Sequence, residues 1–309
     1  MKKRFVLRLP AGLIGAFVLG LNPFPSQAQN NAPEHPSITV EGQTYTPRSI
    51  WVRNMGTQED RMEQFPPHKI ISNVYYVGTR NLSSFLIVTP EGNILIDSTY
   101  ERNVLTIKKS VEQLGFKFSD VKILLGNHAH GDHMEGDALV KELTGARVIA
   151  MAEDVPALQA MKPGGKEHPI NQIIHDGDSI TLGGTTLVAH LTPGHTRGAT
   201  AWTMKAEEGG KSYDVVFFSS LRLQVTPTPA IVEELNRSFE VVRSLPCDVP
   251  LGDHPAQYDM REKYEKLQAG GPNPFIDLPG CKLEAKIEED MFRAILAEQH
   301  AAEAPKATP

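Results

Sequence analysis

The sequence is short of cysteine, of tryptophan and of long apolar runs, and it carries no excess of basic charge. Two cysteines, Cys247 and Cys281, in 309 residues exclude a disulfide-dense scaffold. Lying far apart, they also exclude a zinc–thiolate pair of the CxxC kind. Nothing beyond the N-terminus approaches the ~20 apolar residues of a membrane-spanning helix. Asp and Glu outnumber Lys and Arg by 37 to 31, which argues against nucleic acid as a partner. What remains, 40% hydrophobic and 22% charged, is the make-up of an ordinary globular protein.

The first residues have an organisation of their own. Lys2, Lys3, Arg4 and Arg8 precede an apolar run over residues 9–21, and Ser26-Gln27-Ala28 supplies a small-x-small cleavage pattern. We read residues 1–28 as a secretory signal peptide, giving a periplasmic protein with no membrane association after cleavage. Its removal takes the formal charge from −6 to −10. Residues 29–45 are polar and proline-bearing and are expected to form an extended mature N-terminus. Residues 46–300 are expected to be a single domain and 301–309 a disordered tail. Export leaves the two cysteines open either to a disulfide or to two buried thiols.

Along the body, strand patterns at residues 73–77, 84–88, 93–96, 121–125 and 147–151 alternate with helical spacing at 104–114 and 137–143. Strand patterns resume from residue 180, followed by helical spacing at 231–245, a short strand at 249–251 and an amphipathic helix at 284–300. Both halves run from strands to helices. This fits an α/β protein with two sheets packed together and helices outside, a four-layer αβ/βα sandwich.

The strand at 121–125 runs directly into His128-Ala129-His130-Gly131-Asp132-His133. Side chains alternate along an extended chain, so His128 and His130 share a side; the turn that follows lets Asp132 and His133 face an adjacent position. Imidazole and carboxylate suit zinc, and four donors in six residues form a dense cluster. Two closed coordination spheres need more. His195, after the strand at 186–191 and a Pro-Gly turn, and His254, after the strand at 249–251, are the candidates, although a lone histidine is more often structural. Gly194 and Gly252 beside them permit close backbone approach. His35, His68, His168, His175, His190 and His300 lack such a setting; His190 sits within a strand pattern. Ser119 and Lys122 fit S-x-x-K, but S-D-N and K-T-G are missing, and we treat the match as chance.

From about residue 74 to 300 the chain resembles the metallo-β-lactamases of class B, subclass B3. The resemblance is carried by VGTRNLSSFLIVTPEGNILID, LLGNHAHGDHMEG, HLTPGHTRGATAW, LPCDVPLGDHPAQYDM and GGPNPFIDLPGCK. It implies the metallo-β-lactamase fold and two Zn2+ ions per chain, one on His128, His130 and His195 and the other on Asp132, His133 and His254. It further implies a hydroxide between the metals that attacks the β-lactam amide, with Asp132 orienting it. Cys247 and Cys281 match a disulfide found in some members. Asp97 matches an acid that supports the metal loop. Ser220 stands where lactonases and thioesterases of this fold place a metal-bridging Asp; it becomes a candidate to bind the substrate carboxylate, with Arg222 beside it. We expect a monomer acting on a small β-lactam, carbapenems included.

Two rivals stay open. One is another dinuclear-zinc hydrolase of the same fold, acting on lactones or thioesters, since a fold does not fix a substrate. Glu135 and Asp137, acids just beyond the metal loop, and the altered stretch after Ser220 keep it alive. The other is a zinc-binding protein without activity. Residues 151–170 are expected to form a loop over the site.

Overall fold

The computed structural model describes residues 36–223 and 226–303. The signal peptide expected over residues 1–28 lies outside the described residues, as does the tail beyond 303. The described chain opens on a hairpin of β1 (Ile38–Val40) and β2 (Gln43–Tyr45) and a helix α1 (Pro47–Met55). The N-terminal segment expected to be simply extended is therefore folded back from Ile38 onward. It buries Val40 and Tyr45 against Ile50, Ile287 and Met291.

Next come β3 (His68–Ile71), β4 (Val74–Tyr76), β5 (Phe85–Thr89), β6 (Gly92–Ile96), α2 (Val104–Gln113) and β7 (Val121–Leu125). One helical turn, α3 (Gly131–Met134), leads through α4 (Asp137–Thr144) to β8 (Arg147–Met151), α5 (Val155–Ala160) and β9 (Gln172–Ile174). Strands β3 to β9 lie side by side in chain order in a seven-stranded sheet, antiparallel as far as β6 and parallel from β6 to β9.

A second, five-stranded sheet holds β10 (Ser179–Leu182), β11 (Thr185–Leu191), β12 (Thr200–Glu208), β13 (Lys211–Phe218) and β14 (Val249–Gly252). The sixteen-residue α6 (Pro229–Ser244) makes the crossover that allows β13 and β14 to pair in parallel. Helices α7 (Met260–Ala269) and α8 (Gly280–Glu303) close the chain, and α8 runs past the boundary expected at residue 300.

Strand alternation sorts the apolar residues into layers. Phe85, Ile87, Ile94, Ile123 and Leu125 face Leu187, Trp202, Val215, Phe217 and Leu251 between the sheets. Leu86, Leu95, Leu124 and Val148 point the other way, onto Val104, Ile107 and Val111 of α2 and Val140 of α4. Val216 and Phe218 meet Leu235 and Phe239 of α6 and Ala285 and Phe292 of α8. The result is the expected four-layer sandwich of the metallo-β-lactamase fold.

The strand directions position the site. Strands β6, β7 and β8 are parallel, so Asp97, the histidine loop and Asp154 follow from C-terminal strand ends on one edge. In the second sheet β11, β13 and β14 likewise run the same way, so His195, Ser219–Ser220 and His254 follow from theirs. Asn127 joins the edges: its Nδ2 donates to Thr200 O at 3.1 Å, and its backbone N–H donates to Asp97 Oδ1 at 2.8 Å.

Candidate metal centre

Each ligand candidate arrives on a loop that the backbone holds tightly. After β6 the chain turns sharply, with Asp97 at φ +61° and Thr99 at φ +58°. Left-handed backbone is costly for a β-branched residue and persists only where the surroundings over-determine it. Here they do: Asp97 N donates to Leu125 O and Thr99 N to His133 O, both at 2.9 Å. At the His195 loop, Gly194 has φ +130°, and a Cβ there would come within 2.5 Å of Leu235, so the Pro-Gly turn expected before this histidine admits no side chain.

The loops bring six side chains together. Ligand atoms of His128, His130 and His195 lie within 4.8 Å of one another, as do those of Asp132, His133 and His254. The rings of His128 and His133, one from each group, are 4.2 Å apart between centroids, so the groups adjoin. His128, His133, His195 and His254 are buried, whereas solvent reaches His130 and Asp132.

Hydrogen bonds on the far side of the rings set the tautomers. Nδ1 of His133 lies 3.1 Å from Asp97 Oδ2, and Nδ1 of His254 lies 3.1 Å from Asn81 O. Nδ1 of His195 is 2.6 Å from Arg222 O. Nδ1 of His128 is 3.3 Å from Asp253 Oδ2 and 3.2 Å from Ser219 Oγ. Carboxylate and carbonyl oxygens only accept, so Nδ1 carries a hydrogen and Nε2 is the ring nitrogen left to face inward. Nε2 of His128 and of His133 is buried with no hydrogen-bond partner. A buried polar nitrogen without a partner is costly, and a cation coordinated there removes the cost.

The electrostatics agree. Burial opposes a charge on His133, but Asp132, Asp97 and Asp253 outweigh it and raise its pKa to about 10. Burial, with His133 nearby, pushes His128 down to about 3, and burial takes His254 to about 4. Burial also works against Asp132, yet His133 and His254 hold its carboxyl well below the usual range. A field that holds a proton on one imidazole among neutral ones is a field that favours a bound cation. Metal binding to such a set displaces that proton. Five imidazoles and one carboxylate are a donor set that fits zinc.

Other expected residues are placed differently. Ser220 is fully buried; its hydroxyl donates to Asp253 Oδ1 at 3.0 Å and accepts from Gln257 Nε2 at 3.2 Å. Arg222 is buried and lines a cavity with Ile50, Trp51, Glu288 and Phe292, and its backbone carbonyl meets Nδ1 of His195. Both side chains are thus buried, Ser220 held by Asp253 and Gln257 and Arg222 beside that cavity. Asp137 is buried on Ser98 Oγ at 2.6 Å and lies 3.2 Å from His168 Nε2, so it ties loops together and adds no acid to the ligand groups. Residues 151–170 are not simply a loop: they begin with the end of β8 and hold α5. His190 on β11 bonds Thr203 on the neighbouring β12, and His68 is buried among aromatic rings. His35 lies outside the described residues.

Sequence reasoning missed Asp253 and Asp154. Asp253 stands next to His254, and an acid beside a ligand was a readable signal; its contact with His128, 125 residues away in the chain, was not. Asp154 carried no local signal at all.

Residues 77–208 match the family described as Metallo-beta-lactamase superfamily. Among solved structures, the chain is similar to the native FEZ-1 metallo-beta-lactamase from Legionella gormanii at 42% identity and TM-score 0.73, covering 77% of this chain and 98% of that one. The chain belongs to the class B3 metallo-β-lactamase family. It is also similar to BJP-1, a subclass B3 metallo-beta-lactamase of Bradyrhizobium japonicum, at 34% identity and TM-score 0.73, over 79% of this chain and 98% of that one. A different likeness is to the hydroxyacylglutathione hydrolase of Hyphomonas neptunium, 32% identical over 106 residues, or 34% of this chain. The chain spans only 37% of that hydrolase's length. Family membership makes this protein a metal-binding hydrolase of the superfamily. No helix among the described residues is long and apolar enough to cross a membrane.

Proposed function

We propose that this protein is a periplasmic, zinc-dependent β-lactamase that opens the amide bond of β-lactam antibiotics, carbapenems included, with two Zn2+ ions. One ion is held by His128, His130 and His195, the other by Asp132, His133 and His254. The observation that carries this reading is the extent of the likeness: 98% of a class B3 enzyme at 42% identity, against 37% of a hydroxyacylglutathione hydrolase. The Cys247–Cys281 disulfide fits an oxidising compartment.

Zinc at such a site supplies Lewis acidity to a carbonyl oxygen and lowers the pKa of water toward neutrality. The chain's own residues do the rest. Three protein donors per group leave positions open to water and substrate. Asp132 is the acid of the six that solvent reaches, so its carboxylate is placed to orient the attacking water and to accept its proton. Asp97 and Asp253 keep the Nδ1 hydrogens of His133 and His128 in place, so that both Nε2 atoms stay aimed at the centre. The amide nitrogen takes up the proton released from the water when the C–N bond breaks, which balances the hydrolysis.

A thioesterase or lactonase is the second reading, favoured by the partial likeness to hydroxyacylglutathione hydrolases. Zinc-loaded protein should hydrolyse imipenem, lose that activity in EDTA, and leave a hydroxyacylglutathione and an acyl-homoserine lactone largely untouched. Turnover of the thioester or the lactone without imipenem turnover sinks the lactamase reading.

A further inference from the structure

Asp154 sits at the end of the turn that follows β8, 3% exposed, and its carboxylate is engaged by three donors. Oδ2 accepts from Ala129 N at 2.8 Å and from Thr196 Oγ1 at 2.8 Å, and Oδ1 accepts from Gly198 N at 2.7 Å. Ala129 lies between His128 and His130, and Thr196 follows His195. One side chain from the seven-stranded sheet therefore fastens the loop after β7 to the loop between β11 and β12 of the other sheet.

We infer that Asp154 is the positioning residue of the three-histidine group, a clamp that holds His195 in register with His128 and His130 across the two sheets. The inference rests on the zinc assignment proposed above and names what keeps its first group assembled. Three ligands delivered by two separate loops form a tight site only if the loops are fixed relative to each other. Hydrogen bonds to a charged acceptor are the stronger kind, about twice a neutral pair, and here all three end on one carboxylate. The approach is specific to this sequence. A Cβ on Gly198 would come within 2.5 Å of the Asp154 backbone nitrogen and 2.6 Å of its Cβ, so glycine is what lets this loop reach the clamp. Asparagine cannot replace the aspartate, because its amide turns one acceptor into a donor that faces another donor.

The test is zinc binding by wild-type, Asp154→Asn and Thr196→Val proteins, measured by competition with a chromophoric chelator alongside thermal melting. The wild type should bind two ions. Asp154→Asn should bind one of them about 10–100-fold more weakly, the usual size for a change behind a ligand, and leave the other nearly unchanged. Thr196→Val, which keeps two of the three hydrogen bonds, should give a smaller loss at the same site, and combined with Asp154→Asn it should add nothing further. The ligand-field spectrum of the cobalt-substituted protein should change for the same ion only. A merely structural Asp154 would lower the melting temperature of both variants while zinc affinity and cobalt spectrum stayed as in the wild type, and that result overturns the inference. If Asp154→Asn does not fold, unaltered zinc affinity in Thr196→Val overturns it equally. A wild type that binds no zinc refutes the zinc assignment instead.

Discussion

Asp97 and Asp253 do the same work from opposite sheets, each accepting from the Nδ1 of a histidine whose Nε2 has no hydrogen-bond partner. Replacing either by Asn keeps the volume and removes the charge, and should cost about 10–100-fold in zinc affinity or turnover. Zinc competition and imipenem kinetics check this, and a change of less than twofold in both would reduce these acids to packing. Removing a ligand should cost more: His254→Ala should fall below either Asn variant in turnover and lose one zinc per chain by elemental analysis. His68 carries a different prediction, remote from the centre. It is packed among Phe65, Tyr76, Tyr264 and Phe275, and burial takes its pKa to about 4. The folded value lies below the ordinary ~6.5, so the unfolded chain takes up the proton first as pH falls. The neutral imidazole's full contribution is present above pH ~6.5 and drains away down to pH ~4, by about 3 kcal/mol in all. His68→Phe should flatten the fall in urea-unfolding free energy between those pH values; an unchanged slope would contradict the assignment.

At the scale of elements, the disulfide fastens Cys281, in the first turn of α8, to Cys247, just before β14. The two are 34 residues apart and enclose β14, His254 and α7. Closing a loop of that length removes chain entropy worth about 4 kcal/mol from the unfolded state, by the simple chain model. Cys247→Ser with Cys281→Ser should therefore unfold at clearly lower urea than the oxidised wild type, and equal midpoints would show that the cross-link adds no stability. Legibility also differed by element. The helix expected over 104–114 was found at Val104–Gln113, because Val104, Ile107 and Val111 recur on one face over a single sheet. Helix α1 escaped notice because it exposes Trp51 and Val52 while burying Asn54, so its pattern has no apolar stripe. Its capping box between Thr46 and Ser49, with Pro47 at the first position, was the readable sign. Half of helix α7 is charged and it buries only Met260 and Lys263, the latter paired with Asp277 at 2.7 Å.

At the scale of the molecule, the two sheets share one working edge, and the metal centre spans it. Zinc that binds only the folded chain stabilises it by mass action, about 2.7 kcal/mol at a free concentration one hundred times Kd. EDTA treatment should lower the melting temperature, and zinc but not magnesium should restore it, as nitrogen donors require. A melting curve indifferent to EDTA would mean that the two loops assemble without a cation.

The sequence by itself determined the layers and named the six side chains that the fold gathers. Alternation of apolar residues in strands and their recurrence in helices follow from local backbone geometry, and the HxHxDH cluster packs four donors into one loop. Even His195 and His254 were readable, as lone histidines after strand ends. What only the tertiary structure decided is what stands behind those ligands. Asp253 beside His128, Asp154 across two loops, and Ser220 on Asp253 and Gln257 are all partnerships between segments remote in the chain. Local patterning says which side of a strand a residue faces, but which loop from the other sheet it meets depends on how the two sheets stack.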